Sequence, residues 1–166
     1  MRGRSRETRT DGSERRTRVQ TLTYDELDPD DRALIDAAGE ALSTAYAPYS
    51  RVRIGAALGT ASGIVVGSNV ENAAYGSTLC AERMAVGRAN ADGERAFRAV
   101  AIVGAGDRLP ADRPVSPCGA CRQVLHELAH ATGTATRVLM TEPGTDRVTI
   151  ASISELLPLP FEPLPR

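Results

Sequence analysis

The sequence lacks several features that would each indicate a particular class of protein. Its 166 residues include no tryptophan, and aromatic residues make up only 4% of the chain. No apolar run approaches the roughly 18 consecutive residues needed to cross a bilayer, which excludes a membrane-spanning protein. The amino-terminal segment has no apolar core of a secretory signal, so we expect a cytoplasmic protein.

Cysteine is scarce as well, with three residues in the whole chain. Three thiols are too few, and odd in number, for the disulfide framework of a small secreted protein. They suit a reducing compartment, in which cysteines serve as metal ligands or nucleophiles. Their positions therefore decide their role.

The charge of the chain is small overall but unevenly distributed. The net charge is −1, yet residues 1–20 contain seven arginines and only three acidic residues. We predict that residues 1–20 form a disordered, arginine-rich arm and that residues 21–166 form a single domain. Because the basic charge is confined to the arm, nucleic acid is not an expected partner of the folded part.

The pattern of apolar residues predicts an α/β protein. Helical spacing recurs in three segments, and short strand-like patterns occur in five others. The order helix, strand, strand, helix, strand, helix, strand, strand predicts a three-layer α/β/α sandwich with a mixed central sheet of about five strands. The predicted helices are 29–45, 79–91 and 116–131, and the predicted strands are 53–59, 63–69, 96–105, 136–142 and 147–153.

The three cysteines fall into two clusters that suggest one metal site. Cys80 lies in the segment TLCAERM, and Cys118 and Cys121 lie in SPCGACRQ. A C-x-x-C pair joined by a third cysteine can present three thiolates to one tetrahedral cation, for which Zn²⁺ is the expected occupant. Since a closed structural site needs four protein ligands, the open fourth position predicts a catalytic zinc with a bound water.

Local sequence supports the ligand role of these cysteines. Ser116 is predicted to cap the third helix and Pro117 to be its first residue, which places Cys118 in the first turn. Unpaired backbone N–H groups and the positive helix end stabilise a thiolate there, and Cys80 is expected to open its own helix. Arg83, one turn after Cys80, is our candidate for donating to the sulfur atoms.

Glu82 is the candidate acid and base. A carboxylate two residues after a metal ligand can reach a water at the open position without binding the metal itself. On a helix without a metal site nearby, such a glutamate would be an ordinary surface residue. Beside an open zinc position it is the natural proton carrier.

A second metal-binding pattern competes with the cysteines. The segment 126–130, HELAH, matches H-E-x-x-H, the zinc-binding helix of metallopeptidases, and contains the only two histidines of the chain. At about 100° per residue, His126 and His130 point away from the apolar stripe of their helix. No third ligand is evident in the sequence, so we predict a solvent-facing pair and no peptidase.

The cysteine-containing segments resemble a known enzyme family. The runs CAER at 80–83 and PCGACRQ at 117–123 resemble the signature of the small, homotetrameric, zinc-dependent cytidine deaminases whose zinc is held by three cysteines. The similarity extends from about residue 45 to residue 161 and includes the runs YAPYS, GAAL and NVENAAY.

The resemblance implies a catalytic domain that hydrolyses small nucleosides, cytidine and 2′-deoxycytidine, in pyrimidine salvage. One Zn²⁺ per subunit would be held by Cys80, Cys118 and Cys121 and would activate water for attack on C4 of the pyrimidine. Glu82 would carry the proton to N3 and then to the departing ammonia. A homotetramer with active sites at subunit interfaces is also implied.

Further substrate-binding residues follow from the same resemblance. Asn69 and Glu71 match the residues that bond the ribose, and Ala81 matches the residue whose backbone holds the base. Phe161 matches a carboxy-terminal aromatic residue that closes over the site of a neighbouring subunit. Each of these roles is an expectation that rests on the resemblance.

One position departs from the family. These enzymes usually have a phenylalanine before the first hairpin strand, packed against the pyrimidine, whereas this chain has Val52. Stacking on an aromatic ring contributes about 1 to 3 kcal/mol per base, so its loss would weaken cytidine binding or admit another base. A modified pyrimidine nucleoside or a nucleoside antibiotic such as blasticidin S is therefore an alternative substrate, although Glu71 favours ribose recognition.

A zinc-stabilised RNA-binding module that uses the arginine-rich arm is the alternative of another class.

Overall fold

The structure, a computed structural model, describes residues 19–142 and 144–162. The strands are β1 (Gln20–Thr23), β2 (Arg53–Thr60), β3 (Ile64–Ser68), β4 (Phe97–Ala105), β5 (Arg137–Thr141) and β6 (Arg147–Ser152). The helices are α1 (Pro29–Ala41), α2 (Ala81–Ala91), α3 (Gly119–Thr132) and α4 (Ile153–Leu156). None of the helices in these ranges combines the length and apolarity that crossing a membrane requires.

In the described ranges the strands form one mixed sheet of six, in the order β1-β6-β5-β4-β2-β3. β4 and β5 run parallel, and all other neighbouring pairs are antiparallel. The prediction of a mixed sheet is confirmed, with one strand more than expected. The additional strand is β1, which pairs antiparallel with β6.

Only the end of the predicted arm can be compared with the structure. Residues 1–18 of the arm, and residues 163–166 at the other end of the chain, lie outside the described residues. Gln20, predicted as the last residue of a disordered arm, is instead the first residue of β1. Its backbone is ordered because it pairs with Ile150 on β6.

Helices cover both faces of the sheet, which confirms the three-layer α/β/α sandwich. Side chains of β4 alternate between the two faces, because successive residues of a strand point to opposite sides. Ala99 and Ala101 pack with α1 on one face, whereas Val100 and Ile102 pack with the other helices on the opposite face. The residues of that second layer include Ala81, Ala85, Ala89, Leu125, Ala129 and Ile153.

Helix α1 is fixed at its start and along its buried face. The side chain of Asp28 caps the helix by accepting a hydrogen bond of 2.8 Å from the backbone N–H of Asp31. The carboxylate of Asp31 is only 3% exposed and accepts two hydrogen bonds of 2.7 Å from Arg137 on β5. α1 ends at Ala41, earlier than the predicted residue 45, and a 3₁₀ turn, Leu42–Thr44, follows it.

Two glycines let the helices approach the sheet closely. A Cβ atom at Gly67 on β3 would lie 2.6 Å from the carbonyl oxygen of Ala81 and would also collide with the backbone N of Ala85. A Cβ atom at Gly55 on β2 would collide with the carbonyl oxygen of Ala38 on α1. The contact at Gly67 sets the position of the first turn of α2, and with it one side of the candidate site.

Candidate functional site

The three cysteines converge where α2 and α3 begin. Cys80 is the residue that caps α2, Cys118 caps α3, and Cys121 lies in the first turn of α3. The sulfur atoms of Cys80 and Cys118 are 3.8 Å apart, and all three sulfurs lie within 4.8 Å of one another. This arrangement agrees with the sequence prediction that the three cysteines lie together in one site.

The start of α3 differs from the sequence prediction. Ser116 was expected to cap the helix and Pro117 to open it, but this is wrong, since the helix begins at Gly119. Cys118 has extended backbone angles, φ −66° and ψ 167°, which keep the two preceding residues outside the helix. Cys118 still lies at the helix terminus, where unpaired N–H groups favour a thiolate.

The spacing of the sulfurs fits a tetrahedral thiophilic cation. Zinc–sulfur bonds of about 2.3 Å place the sulfurs of a tetrahedral site about 3.8 Å apart. The separation of 3.8 Å between Cys80 and Cys118 has this value, and all three cysteines are free thiols. A tetrahedral cation held by these three sulfurs would keep a fourth position for water or substrate.

The sulfurs perturb one another's protonation. Hydrogen bonding from Cys121 is the main cause that lowers the pKa of Cys80 to about 5, with smaller contributions from Cys118 and from the charge of Arg83. The pKa of the Cys121 thiol is raised, first by its hydrogen bond to Cys80 and then by burial. Three thiols this close compete for a single negative charge, and a divalent cation would remove the competition.

Arg83, predicted to donate to the sulfur atoms, lies close enough to Cys80 for its charge to act on that thiol. Its guanidinium donates a hydrogen bond of 2.6 Å to the carbonyl oxygen of Thr78, and its positive charge lowers the pKa of Cys80. The Nε atom of Arg83 is buried and has no hydrogen-bond partner among the described residues.

Glu82 is the second residue of α2 and is only 5% exposed. Burial raises the pKa of this carboxyl, and the nearby charge of Cys80 raises it further. It lines a cavity together with Cys80 and Cys118. A buried carboxyl with a raised pKa, next to a metal site, is suited both to take and to give a proton.

Two neighbouring cavities share lining residues; we call the one beside Cys80, Cys118 and Glu82 the inner chamber and the other the outer chamber. The inner chamber, of about 290 Å³, is lined by Cys80, Cys118 and Glu82 and is otherwise mostly apolar. The outer chamber, of about 360 Å³, shares Glu71 and Thr78 with the inner one. Its remaining lining residues are Tyr49, Ser50, Tyr75 and Arg108.

Asn69 and Glu71, predicted to bind ribose, both line the inner chamber. The amide of Asn69 bonds the start of β2, accepting from the N–H of Ile54 at 2.8 Å and donating to the carbonyl of Val52 at 2.9 Å. The carboxylate of Glu71 accepts hydrogen bonds from the hydroxyl and N–H of Ser50 and from the N–H of Tyr49. The Ser50 hydroxyl is the main cause that lowers the pKa of Glu71.

The remaining predicted binding residues lie in different surroundings. Ala81, the first residue of α2, is buried and lines the inner chamber. Val52 is half-buried next to the cavity, and the residues that line the two chambers do not include it. Phe161 is 77% exposed, and its backbone exchanges two hydrogen bonds, of 2.9 and 3.0 Å, with the side chain of Gln123.

The sequence analysis missed the apolar wall of the inner chamber. Ile54, Leu109 and Val115 line it and converge above Gly104, where a Cβ atom would lie 2.8 to 3.0 Å from all three side chains. Leu109 belongs to the loop between β4 and α3, which shows no periodic pattern. The role of Ser50 in holding Glu71 was also missed, although the run YAPYS that contains it was noted.

One prediction about the histidines is wrong. His130 is exposed as expected, but the side chain of His126 is only 14% exposed. The segment after α4 covers it and places Glu162 against it, with 3.3 Å between His126 Nε2 and Glu162 Oε1. Helical periodicity within α3 could not reveal a contact with the distant chain terminus.

Comparisons with known proteins point to one family. Residues 28–136 match the family model described as the cytidine and deoxycytidylate deaminase zinc-binding region. The matched stretch contains Glu82 and the three clustered cysteines. Because this region is a zinc-binding one and the thiols are positioned to bind a metal ion, zinc is the cofactor of the chain.

Individual relatives agree with the family match. A cytidine deaminase from Halalkalibacterium halodurans is 45% identical over 133 residues, which cover 80% of this chain and 94% of that protein. A blasticidin-S deaminase from Bacillus cereus is 30% identical over 135 residues, which cover 79% of this chain and 91% of that protein. The crystal structure of cytidine deaminase from Burkholderia pseudomallei has a TM-score of 0.68 at 45% identity and covers 78% of this chain and 97% of its own.

Proposed function

Because this chain belongs to the cytidine and deoxycytidylate deaminase family, we propose that it hydrolyses cytidine and 2′-deoxycytidine to uridine and 2′-deoxyuridine in pyrimidine salvage. Water is consumed and ammonia is released. The observation that carries this proposal is a cluster of three thiols, two of which, those of Cys80 and Cys118, line the same cavity as the buried carboxyl of Glu82. Family membership favours this enzyme over the RNA-binding module that the arginine-rich arm suggested.

We assign the zinc ligands to Cys80, Cys118 and Cys121, with one zinc per subunit. The zinc supplies Lewis acidity that lowers the pKa of a water at the open corner of the site. Arg83 would balance the negative charge of the three thiolates by placing its guanidinium beside Cys80. Keeping three thiols reduced suits the cytoplasm, where we place the enzyme.

Glu82 is the proposed acid and base. Its carboxylate would accept a proton from the attacking water and deliver it to N3 of the pyrimidine. It would then transfer the second proton of that water to the amino group on C4, which leaves as ammonia. Burial in the first turn of α2 holds the carboxyl next to the sulfurs and keeps bulk water from competing for the proton.

The two chambers suggest how the nucleoside is oriented. The inner chamber would hold the base, between the apolar wall and the backbone of Ala81. Glu71, shared by the two chambers, would accept hydrogen bonds from the ribose hydroxyls. The second N–H of the Asn69 amide is free to donate to the same sugar, since the first is bonded to Val52.

Replacement of Glu82 by glutamine tests the proposal. We expect Glu82→Gln to lower kcat for cytidine by about 10² to 10⁴-fold, because the amide cannot carry the proton. Its zinc content should equal that of the wild type, since the residue is not a ligand. The measurements are uridine formation, ammonia release and elemental analysis of the full-length protein.

Two comparison variants sharpen this test. Glu127→Gln changes an exposed glutamate of α3 and should leave the rate unchanged. Cys118→Ser should lose zinc and activity together. A Glu82→Gln variant with a near-normal rate would remove Glu82 from the mechanism, and a zinc-loaded wild type that deaminates neither nucleoside would refute the proposed substrates.

A second substrate class remains a candidate because of Val52. The residue replaces the phenylalanine usual in the family, and the B. cereus relative is a blasticidin-S deaminase. An ammonia-release assay with cytidine, 2′-deoxycytidine, methylated cytidines and blasticidin S separates the two classes. We expect the highest kcat/KM for the two unmodified nucleosides, and a higher value for blasticidin S would reverse the assignment.

We also propose that the enzyme is a homotetramer with its sites at subunit interfaces. Several large side chains around the outer chamber are exposed, as is the carboxy-terminal Phe161 that is expected to close a neighbour's site. The side chains near the outer chamber are Tyr46, Tyr49, Val70, Tyr75 and Leu79.

Two measurements test the tetramer. Light scattering should give four times the mass of one chain, and Phe161→Ala should raise KM for cytidine. A monomeric, fully active enzyme would contradict the proposal.

A further inference from the structure

A second group of metal-ligating side chains lies on the other part of α3. His126 and His130 are one helical turn apart, and the segment after α4 brings Glu162 to them. The ligand-capable atoms of these three residues all lie within 4.8 Å of one another. The sequence pattern lacked a third ligand, and the structure supplies one from the chain terminus.

The contact between His126 and Glu162 is not a satisfied hydrogen bond. The two facing atoms, Nε2 and Oε1, are 3.3 Å apart. Even so, Nε2 is buried and has no partner with hydrogen-bonding geometry among the described residues. Metal–nitrogen and metal–oxygen bonds of about 2.0 to 2.1 Å place two ligands of a tetrahedral zinc about 3.3 Å apart. The pair therefore has the separation of two ligands on a shared cation.

We propose that His126, His130 and Glu162 form a second divalent-metal site. Two imidazoles and a carboxylate suit borderline cations such as Zn²⁺, Ni²⁺ and Cu²⁺ more than Mg²⁺ or Ca²⁺, which prefer oxygen ligands. His130 is exposed, so its ring can turn to close the remaining gap. With three protein ligands the site keeps at least one water and binds more weakly than the thiolate site.

This site is separate from the catalytic one. The two groups share no residue, and His126 follows Cys121 by five positions, which is about 7.5 Å along the helix axis and about 140° around it. The glutamate of the H-E-x-x-H pattern, Glu127, is not part of the described cluster and lines an exposed groove with Val86 and Leu128. The arrangement therefore fits a structural site and not a peptidase centre.

The metal would fasten the carboxy-terminal segment to α3. Two links already exist, from Arg122 to the carbonyl of Leu156 at 2.9 Å and from Gln123 to the backbone of Phe161. Coordination by Glu162 would add a third link next to Phe161. Occupancy of the site would thus order the segment that displays this exposed aromatic side chain.

The histidine content of the chain gives a selective experiment. The only two histidines both belong to the proposed site, and the thiolate site contains none. The full chain without a polyhistidine tag is loaded with one equivalent of zinc, and further Zn²⁺ is then titrated at about pH 7.5. Calorimetry counts the additional binding, and NMR of ¹³C-labelled histidine follows both imidazole rings.

The wild type should bind one additional zinc per chain, with both imidazole signals changing together. His130→Ala and Glu162→Gln should weaken this second binding by more than about 100-fold, which exceeds the loss expected for an outer partner of a ligand. Both variants alter exposed side chains, so they should fold and keep the first zinc. Glu127→Gln, an exposed glutamate next to His126, is the matched control and should bind as the wild type does.

The proposal does not depend on the deaminase activity. It is overturned if the wild type takes up no second zinc, because His126 and Glu162 then form only an ion pair. It is also overturned if His130→Ala and Glu162→Gln keep the second zinc or if Glu127→Gln loses it. Failure of the deaminase assay with an intact second zinc site would count against the proposed substrates alone.

Discussion

Glu71 and Glu82 are residues of the same type whose carboxyl pKa values are shifted in opposite directions by their surroundings. The hydroxyl of Ser50 and two backbone N–H groups hold Glu71 and lower the pKa of its carboxyl. Burial raises the pKa of Glu82. A carboxylate that stays ionised is suited to accept hydrogen bonds from sugar hydroxyls, and one with a raised pKa is suited to exchange protons.

Leu109 gives a prediction at the residue scale. Its side chain forms the apolar wall of the inner chamber with Ile54 and Val115, on the part of the cavity proposed to hold the base. We expect Leu109→Ala to raise KM for cytidine by about tenfold, equivalent to about 1.4 kcal/mol of lost apolar contact. The value of kcat should change little, because the residue does not touch the groups that move protons.

Steady-state kinetics on Leu109→Ala and Leu109→Met check this prediction. Methionine keeps most of the volume, so the methionine variant should stay within about threefold of the wild type in KM. Equal KM values for the wild type and the alanine variant would mean that the base does not contact this wall. A large fall in kcat alone would give Leu109 a role in the chemistry that the structure does not support.

Residue types and spacing predicted the centre of the site but not its supports. Cys80, Glu82 and the C-x-x-C pair are close in sequence to the helix starts that place them, so a local pattern was sufficient. The bond from Ser50 to Glu71 spans 21 positions, and the contact of Glu162 with His126 spans 36. Such contacts depend on how loops fold across the sheet, which no local pattern encodes.

At the scale of elements, the packing of α2 against β3 fixes the geometry of the site. The backbone of α2 reaches Gly67 so closely that a Cβ atom there would collide with Ala85 N and lie 2.6 Å from Ala81 O. We expect Gly67→Ala to lower the free energy of unfolding by about 1 to 3 kcal/mol, because α2 must move away from the sheet. Activity should fall as well, since that shift displaces Cys80 and Glu82.

Gly87→Ala is the matched control for this prediction. Gly87 lies on the exposed face of the same helix, and a Cβ atom there would meet nothing within 4 Å. Alanine should raise stability by about 0.5 to 1 kcal/mol through its better helix propensity. Urea denaturation gives the free energy of unfolding of both variants, and steady-state kinetics give their kcat/KM. A Gly67→Ala variant with wild-type values of both would show that the packing of α2 is looser than described.

The elements that the sequence predicted are those with strong apolar periodicity. β1 was missed because the run QTLT carries one apolar side chain, so its order comes from pairing with β6 rather than from its own composition. α4 was missed because it has only four residues and is followed at once by a proline-rich run. Short edge elements of this kind depend on tertiary contacts for their formation.

At the scale of the whole molecule, the thiolate site joins two parts of the fold. Cys80 starts α2, which packs on the β2–β3 hairpin at one end of the sheet. Cys118 and Cys121 belong to α3, which follows β4 and leads into the parallel strand β5. A cation held by all three sulfurs therefore ties helices from separate segments of the chain, and its binding free energy adds to the stability of the native state.

Removal of zinc should consequently destabilise the fold without unfolding it at room temperature. Free zinc at about 1,000 times its Kd adds about 4 kcal/mol, and in a domain of this size each kcal/mol corresponds to about 2 to 4 °C in Tm. We expect a fall in Tm of about 10 °C after chelation. The apolar core on both faces of the sheet remains, so the unfolding transition should stay cooperative.

The Tm should be measured in the His130→Ala variant, where the second proposed site cannot contribute, with zinc content verified by elemental analysis. An unchanged Tm in zinc-free protein would mean that the two helix starts are held together by packing alone and that the metal serves the chemistry only.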